Sequence, residues 1–247
     1  MNVSSHSRRR RGLAAGLLHL ILAALTCGWA SSAAWGAQNE TKEKPAAAGL
    51  VPLLLNLPNA PFRGTPTDVP VGPNVEPFST NARPPMLVPG GLKNIAPAAK
   101  LSCSDTNAAP DQLAKVTDGQ KEDSDDNILF LRKGLQYVQM DFGREHEVFA
   151  IVIWHAFNRW KVYQDVIVQA ADDPQFTVNV RTLFNNDLAG ACGRGLGHDR
   201  EYWESEQGKL IDAKGTRTRF LRFYSKGSTD SVLNEYTEIE VYGRPAR

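Results

Sequence analysis

Hydrophobic and polar positions alternate with a period of two through most of the second half of the chain. Residues 137–142 follow this pattern, as do residues 165–170, 220–224 and 238–242. Residues 148–154 depart from it by being almost continuously apolar. Alternation places one face on a core and the other toward water, whereas an unbroken apolar run suits a central strand covered on both faces. From Lys93 onward, turn residues separate these runs, and no apolar helical period exceeds two turns. The pattern predicts an all-β domain over 93–247, with two packed antiparallel sheets in a β-sandwich of the jelly-roll kind. One helical turn is expected after Pro174, where Asp172 and Asp173 offer caps.

The preceding residues, 37–92, read differently. Twelve of the fifteen prolines fall between Pro45 and Pro97. Proline fixes φ and withholds a backbone donor, so this segment is predicted to be extended or irregular. Residues 50–57 carry six aliphatic side chains besides their proline and asparagine, too much apolar surface for a solvated tether. They are expected to lie along the domain. Residues 38–48, rich in Lys, Glu and Ala, are expected to be disordered.

Residues 1–36 read as an export signal, with a basic stretch from Arg8 to Arg11, an Ala/Leu-rich apolar stretch and small residues before a cleavage point near Ala37. Either the general or the twin-arginine route is compatible with it. Cleavage leaves no membrane span and a periplasmic or extracellular product. It also removes four arginines, taking the formal charge from +1 to −3, so the mature chain has no basic excess for phosphates and nucleic acid is not an expected partner. Cys103 and Cys192 remain in a compartment where disulfides persist. A bridge would close a long loop, worth roughly 4 to 5 kcal/mol by chain entropy. Two free thiols are the alternative.

Several motifs occur in a telling order: Thr117, Asp118 and Gly119; then residues 138–143, ending in Asp141, Phe142 and Gly143; then residues 165–173; and last residues 234–245. Together they resemble the discoidin family, also called coagulation factor 5/8 type C or galactose-binding-like domains, and within it an exported bacterial subgroup. The resemblance covers residues 94–243 and implies a galactose-binding-like sandwich that binds ligands through loops. It also implies a structural Ca²⁺ ion on Asp118 and Glu238, with carbonyls around Lys115 and the acidic loop 122–126 completing an oxygen cage. A plain Asp-Gly turn and a solvated Glu238 form the competing reading.

Sugar-binding members of that family set an aromatic platform beside polar side chains. The candidates here are His155, Arg159, Trp160, Asn186, Asp187, Tyr202 and Trp203. Aromatic rings stack on the apolar faces of pyranoses, while planar polar groups satisfy their hydroxyls. Trp154 continues an apolar strand and is expected in the core. Trp160 and Trp203 sit among polar residues. His155 alone is more often a satisfied strand-end histidine. Adjacent carboxylates such as Asp125 and Asp126 lack the separation that glycoside hydrolysis needs, and no nucleophile elbow, zinc helix or phosphate loop is present. The expectation is therefore a noncatalytic module binding carbohydrate, with a protein-interaction module, partnered by another envelope protein, as the alternative.

Overall fold

The structure, a computed structural model, describes residues 49–61 and 72–247. The expected export signal and the segment 38–48 lie outside the described residues. In chain order the strands are β1 (Leu50–Pro52), β2 (Leu87–Pro89), β3 (Lys93–Asn94), β4 (Lys100–Cys103), β5 (Leu129–Leu131) and β6 (Gln136–His155). They continue with β7 (Val162–Tyr163), β8 (Ile167–Ala171), β9 (Arg181–Asn185), β10 (Tyr202–Trp203), β11 (Lys209–Ser225) and β12 (Asn234–Pro245). One α-helix, α1 (Pro110–Ala114), occurs among the described residues. The domain is all-β and its pairings within the main sheet are antiparallel.

Two layers arise because the long strands bend. The first part of β6 pairs with β4 and with Phe220 to Ser225 of β11, and its second part pairs with β12 and with the start of β11. Gly143 sits in β6 at φ 72, and β11 shifts register between Asp212 and Thr216 and again between Thr218 and Phe220. Bulges of this kind let one strand serve both sheets of a sandwich. The sequence reads 137–142 and 148–154 as separate strands; they are one, since neither glycine nor the polar residues between them end the ladder.

The core lies between the layers. Val138, Met140, Leu221 and Phe223 face Ile151, Ile153, Ile239 and Val241 in one buried cluster. The other parity of β6 is buried too: Val152 and Trp154 join Phe157 on the outer face, backed by Leu55, Leu210 and Tyr242. Leu55 comes from the proline-rich segment, so part of the second cover that residues 148–154 demand is supplied by the extension.

That extension is tied down by its backbone. β1 pairs with β2. Lys121 Nζ donates to the Asn56 carbonyl at 2.7 Å, and the Asn59 amide and side chain donate to Glu122. Further along, the Glu76 amide donates to the Glu201 carbonyl at 2.8 Å, and Arg83 donates to the carbonyls of Gly208 and Gln207 at 2.7 and 2.9 Å. The backbone groups that proline leaves unpaired are thus partly answered by the domain.

One local expectation is corrected, and of the two readings left open for the cysteines the structure has the free thiols. No helix follows Pro174, because the Asp173 carboxylate accepts the amides of Gln175, Thr177 and Val178 and closes a turn instead. The bridge between Cys103 and Cys192 is not formed; both are free thiols. Cys103 packs against the main core and Cys192 against Ile167 and Tyr224 in another cluster.

Candidate functional site

The end of β6 leads into a loop that carries Asn158, Arg159 and Trp160, and β7 then pairs with β10 through Tyr202 and Trp203. This pairing brings Trp160 to 6.2 Å from Trp203, with the indoles perpendicular. Both are partly exposed, and Arg159 is exposed. Phe78 of the extension packs edge-on against both, at 4.8 Å from Trp160 and 5.8 Å from Trp203. The same loop borders a small polar hollow of about 170 Å³ at Asn158 and Arg159, lined also by Asp125, Lys161, Asp230 and Glu235.

The loop is held from beneath. Asp123 accepts the Phe157 amide, and burial pushes its carboxyl up to about 6 against the pull of that amide and of Lys161. Lys161 is buried with its ammonium 2.9 Å from Glu235 and 3.5 Å from Asp230. Such anchoring fixes the positions of Arg159 and Trp160, which a binding loop requires.

His155 is corrected as a ligand residue, and Tyr202 as an exposed one, since it only lines the wall of a groove beside residues 76–84. His155 is 0% exposed: its Nδ1 lies 3.1 Å from Glu204 Oε2, its ring stacks on Tyr163 at 4.2 Å, and the Tyr202 hydroxyl reaches Nδ1 at 3.3 Å. Tyr202 is 1% exposed. Strand parity explains this, since β10 turns Tyr202 inward and Trp203 outward.

Asn186 and Asp187 are corrected likewise, being 1% and 0% exposed. Asn186 accepts the Val166 amide at 2.7 Å and donates to the Tyr163 carbonyl at 3.0 Å. Asp187 accepts the amides of Ala191 and Cys192 at 2.9 and 2.7 Å, closing the glycine-rich loop. Asp165, Asp187 and Cys192 place their ligand atoms within 4.8 Å of one another, with Lys226 3.4 Å from Asp165. Burial pushes the Cys192 thiol up to about 12. These groups brace the loop beneath the surface.

Glu238 reaches the turn that carries Asp118. A register shift after Tyr236 turns Glu238 toward the Asp118 turn, where its Oε2 accepts the Gly119 amide at 3.2 Å. Glu238 is 1% exposed and its Oε1 has no hydrogen-bond partner. Burial pushes its carboxyl up to about 8, with Asp118 and Glu240 adding to the rise. A buried carboxylate oxygen without a partner, close enough to Asp118 to feel its charge, is chemistry that suits a hard cation. Asp118 also accepts the Gln120 amide at 2.8 Å, as a plain turn would have it. The acidic loop proposed to complete the cage is engaged elsewhere through Glu122 and Asp123.

A larger groove, about 680 Å³, runs between residues 76–84 of the extension and residues 202–210. Trp203 lines it on one side. Lys209 pairs with Glu76 across it, and Gln207 accepts the Arg83 amide at 2.6 Å. Sequence reasoning missed this groove because its walls lie more than a hundred residues apart; the isolated Phe78 and Arg83 within a proline-rich stretch were the only local hints.

No protein-family model matches the chain, and no curated protein does. Among solved structures it is similar to CpGH89CBM32-6 produced by Clostridium perfringens, at 16% identity and TM-score 0.42 over 61% of this chain and 99% of that one. It is also similar to the Streptococcus pneumoniae fucose binding module SpX-3, at 14% identity and TM-score 0.42 over 61% and 98%. A third likeness is the CBM32 of AlyQ in complex with 4,5-unsaturated mannuronic acid, at 14% identity and TM-score 0.41 over 57% and 92%. The class defined here is an antiparallel, all-β domain. That assignment rests on the strand pairings, and the function is argued from the site. No helix among the described residues is long and apolar enough to cross a membrane.

Proposed function

We propose that this is an exported, noncatalytic carbohydrate-binding module. Its ligand meets the loop end of the sandwich through Arg159, Trp160 and Trp203. The observation that carries the reading is the pair of partly exposed, perpendicular indoles, one of them on the loop that borders the polar hollow at Arg159. An indole face covers the apolar side of a pyranose, and the guanidinium and the Asn158 amide satisfy hydroxyls that lose water on binding. Each ring buried in this way contributes about 1 to 3 kcal/mol. Asp123 and Lys161 hold the loop, so little ordering entropy is lost when ligand arrives.

A structural Ca²⁺ belongs to the same reading. Asp118, Glu238 and carbonyls near Lys115 would hold it, and the ion would supply the positive charge that the buried Glu238 carboxylate lacks. The ion stiffens the turn and takes no part in chemistry.

A glycan array probed with the purified mature protein tests the reading, with Trp160→Ala and Trp203→Ala as controls. Binding that both variants weaken supports it; a folded protein that recognises no glycan refutes it. A protein-interaction role, with an envelope partner, is the second reading. The apolar surface of the extension favours it, with Leu54 85% exposed and Val51, Leu57 and Leu87 each above 40%.

A further inference from the structure

We infer that the groove between residues 76–84 and 202–210 binds the chain of a neutral oligosaccharide, so that the proline-rich extension forms half of the binding site. This rests on the carbohydrate reading above and specifies its ligand as an extended chain rather than a single terminal sugar. The groove's volume, about 680 Å³, falls in the range of small-molecule sites. It is joined to the loop end through Trp203, which lines the groove and packs edge-on against Trp160. A ligand seated on Trp203 therefore has a path onward along the extension.

The chemistry of the walls selects the ligand. Of the two cations in the walls, Lys209 is paired with Glu76, and Arg83 feels the field of Glu204, buried behind the wall, together with that of Glu76. The guanidinium is already committed to the carbonyls of Gln207 and Gly208. No charge is left over for an anionic sugar, while the exposed Ser79 and Asn81 offer uncharged donors and acceptors. Hydroxyls match that mixture.

The extension is a wall here and not a loose flap. It is pinned at Glu76 by Glu201 and at Arg83 by two carbonyls, and Pro77 and Pro84 between and beside these points restrict φ. A wall fixed before the ligand arrives costs little entropy on binding.

The test is calorimetric titration of the mature chain with chito-, cello- and galacto-oligosaccharides of one to six residues. Affinity for the recognised series should rise at least about tenfold between one and three residues and then level off. Asn81→Trp, an exposed position on the extension wall, should fill the groove. It should abolish the gain with length while leaving the monosaccharide affinity unchanged. Ser79→Trp serves as the second variant should the first unfold, thermal melting being the control. Equal affinity for all lengths, or a length gain that survives in both folded variants, overturns the groove assignment alone. Binding of no oligosaccharide overturns the carbohydrate reading and the groove with it.

Discussion

In the absence of metal, Glu238 should make the fold lose stability as pH rises. Its carboxyl is pushed up to about 8 in the fold, from a value of 4.5 in an ordinary environment. The folded chain therefore holds this proton more tightly than the unfolded chain does. The resulting contribution is fully present below about pH 4.5 and is lost as pH rises through 8. A shift of about 3.5 units at ~1.36 kcal/mol each gives roughly 5 kcal/mol across that window, an order-of-magnitude figure. Calcium should offset about half of this penalty at a hundredfold excess over Kd, where an ion bound only to the fold stabilises it by about 2.7 kcal/mol, and all of it at an excess of about 5,000-fold. The assay is urea denaturation at pH 5.5 and 8.5, in calcium and in chelator, on the natural chain and on Glu238→Gln. The natural chain in chelator should weaken at pH 8.5 relative to the variant, and calcium should restore it. Identical midpoints in calcium and chelator at both values would refute the cation site. A natural chain that gains stability over Glu238→Gln on raising the pH in chelator would refute the buried, unpartnered carboxylate itself.

Three further outcomes follow from the packing. Gly208 sits at φ +61, and a Cβ there would lie 2.7 Å from Trp154 Cε2, so Gly208→Ala should cost about 2 to 4 kcal/mol in denaturant; a loss under about 0.5 would contradict the contact. His155→Ala removes a donor from the wholly buried Glu204 and should cost about 3 to 5 kcal/mol, with any binding loss tracking the unfolded fraction; a stable variant that cannot bind sugar would make His155 a ligand residue after all. Both Cys103 and Cys192 should be alkylated in the unfolded protein without reductant, and Cys192 should resist alkylation in the folded one; mass spectrometry showing modification only after reduction would establish a bridge.

Strand parity made much of the fold legible. The alternating runs did become stretches of β6, β8, β11 and β12, but those of β8, β11 and β12 are buried at nearly every position and not on one face alone; the unbroken run 148–154 became a strand covered on both faces, with Trp154 in the core as its setting implied. The bends were not legible, because a bulge adds or removes one residue of register without changing composition. Site residues were harder, for a related reason. Polar neighbours marked Tyr202 and Trp203 together as loop residues, yet two residues of pairing with β7 suffice to send Tyr202 inward and leave Trp203 out. Glu204, read as a sign of exposure, is itself buried against His155. Asp187 resembled a ligand group because a carboxylate that binds sugar hydroxyls and one that caps a loop's amides are the same residue in a sequence. The partnership of Phe78 with both indoles joins segments far apart in the chain, and no local pattern records it.

The most direct test of the carbohydrate assignment is a titration of the best glycan from an array against the natural chain and against Trp203→Ala, each first shown to be folded by its melting curve. The loop-end site predicts saturable binding to the natural chain and a loss of roughly 5- to 150-fold in the variant, equivalent to about 1 to 3 kcal/mol. An unchanged Kd in folded Trp203→Ala, or a folded natural chain that binds nothing on the array, would contradict it.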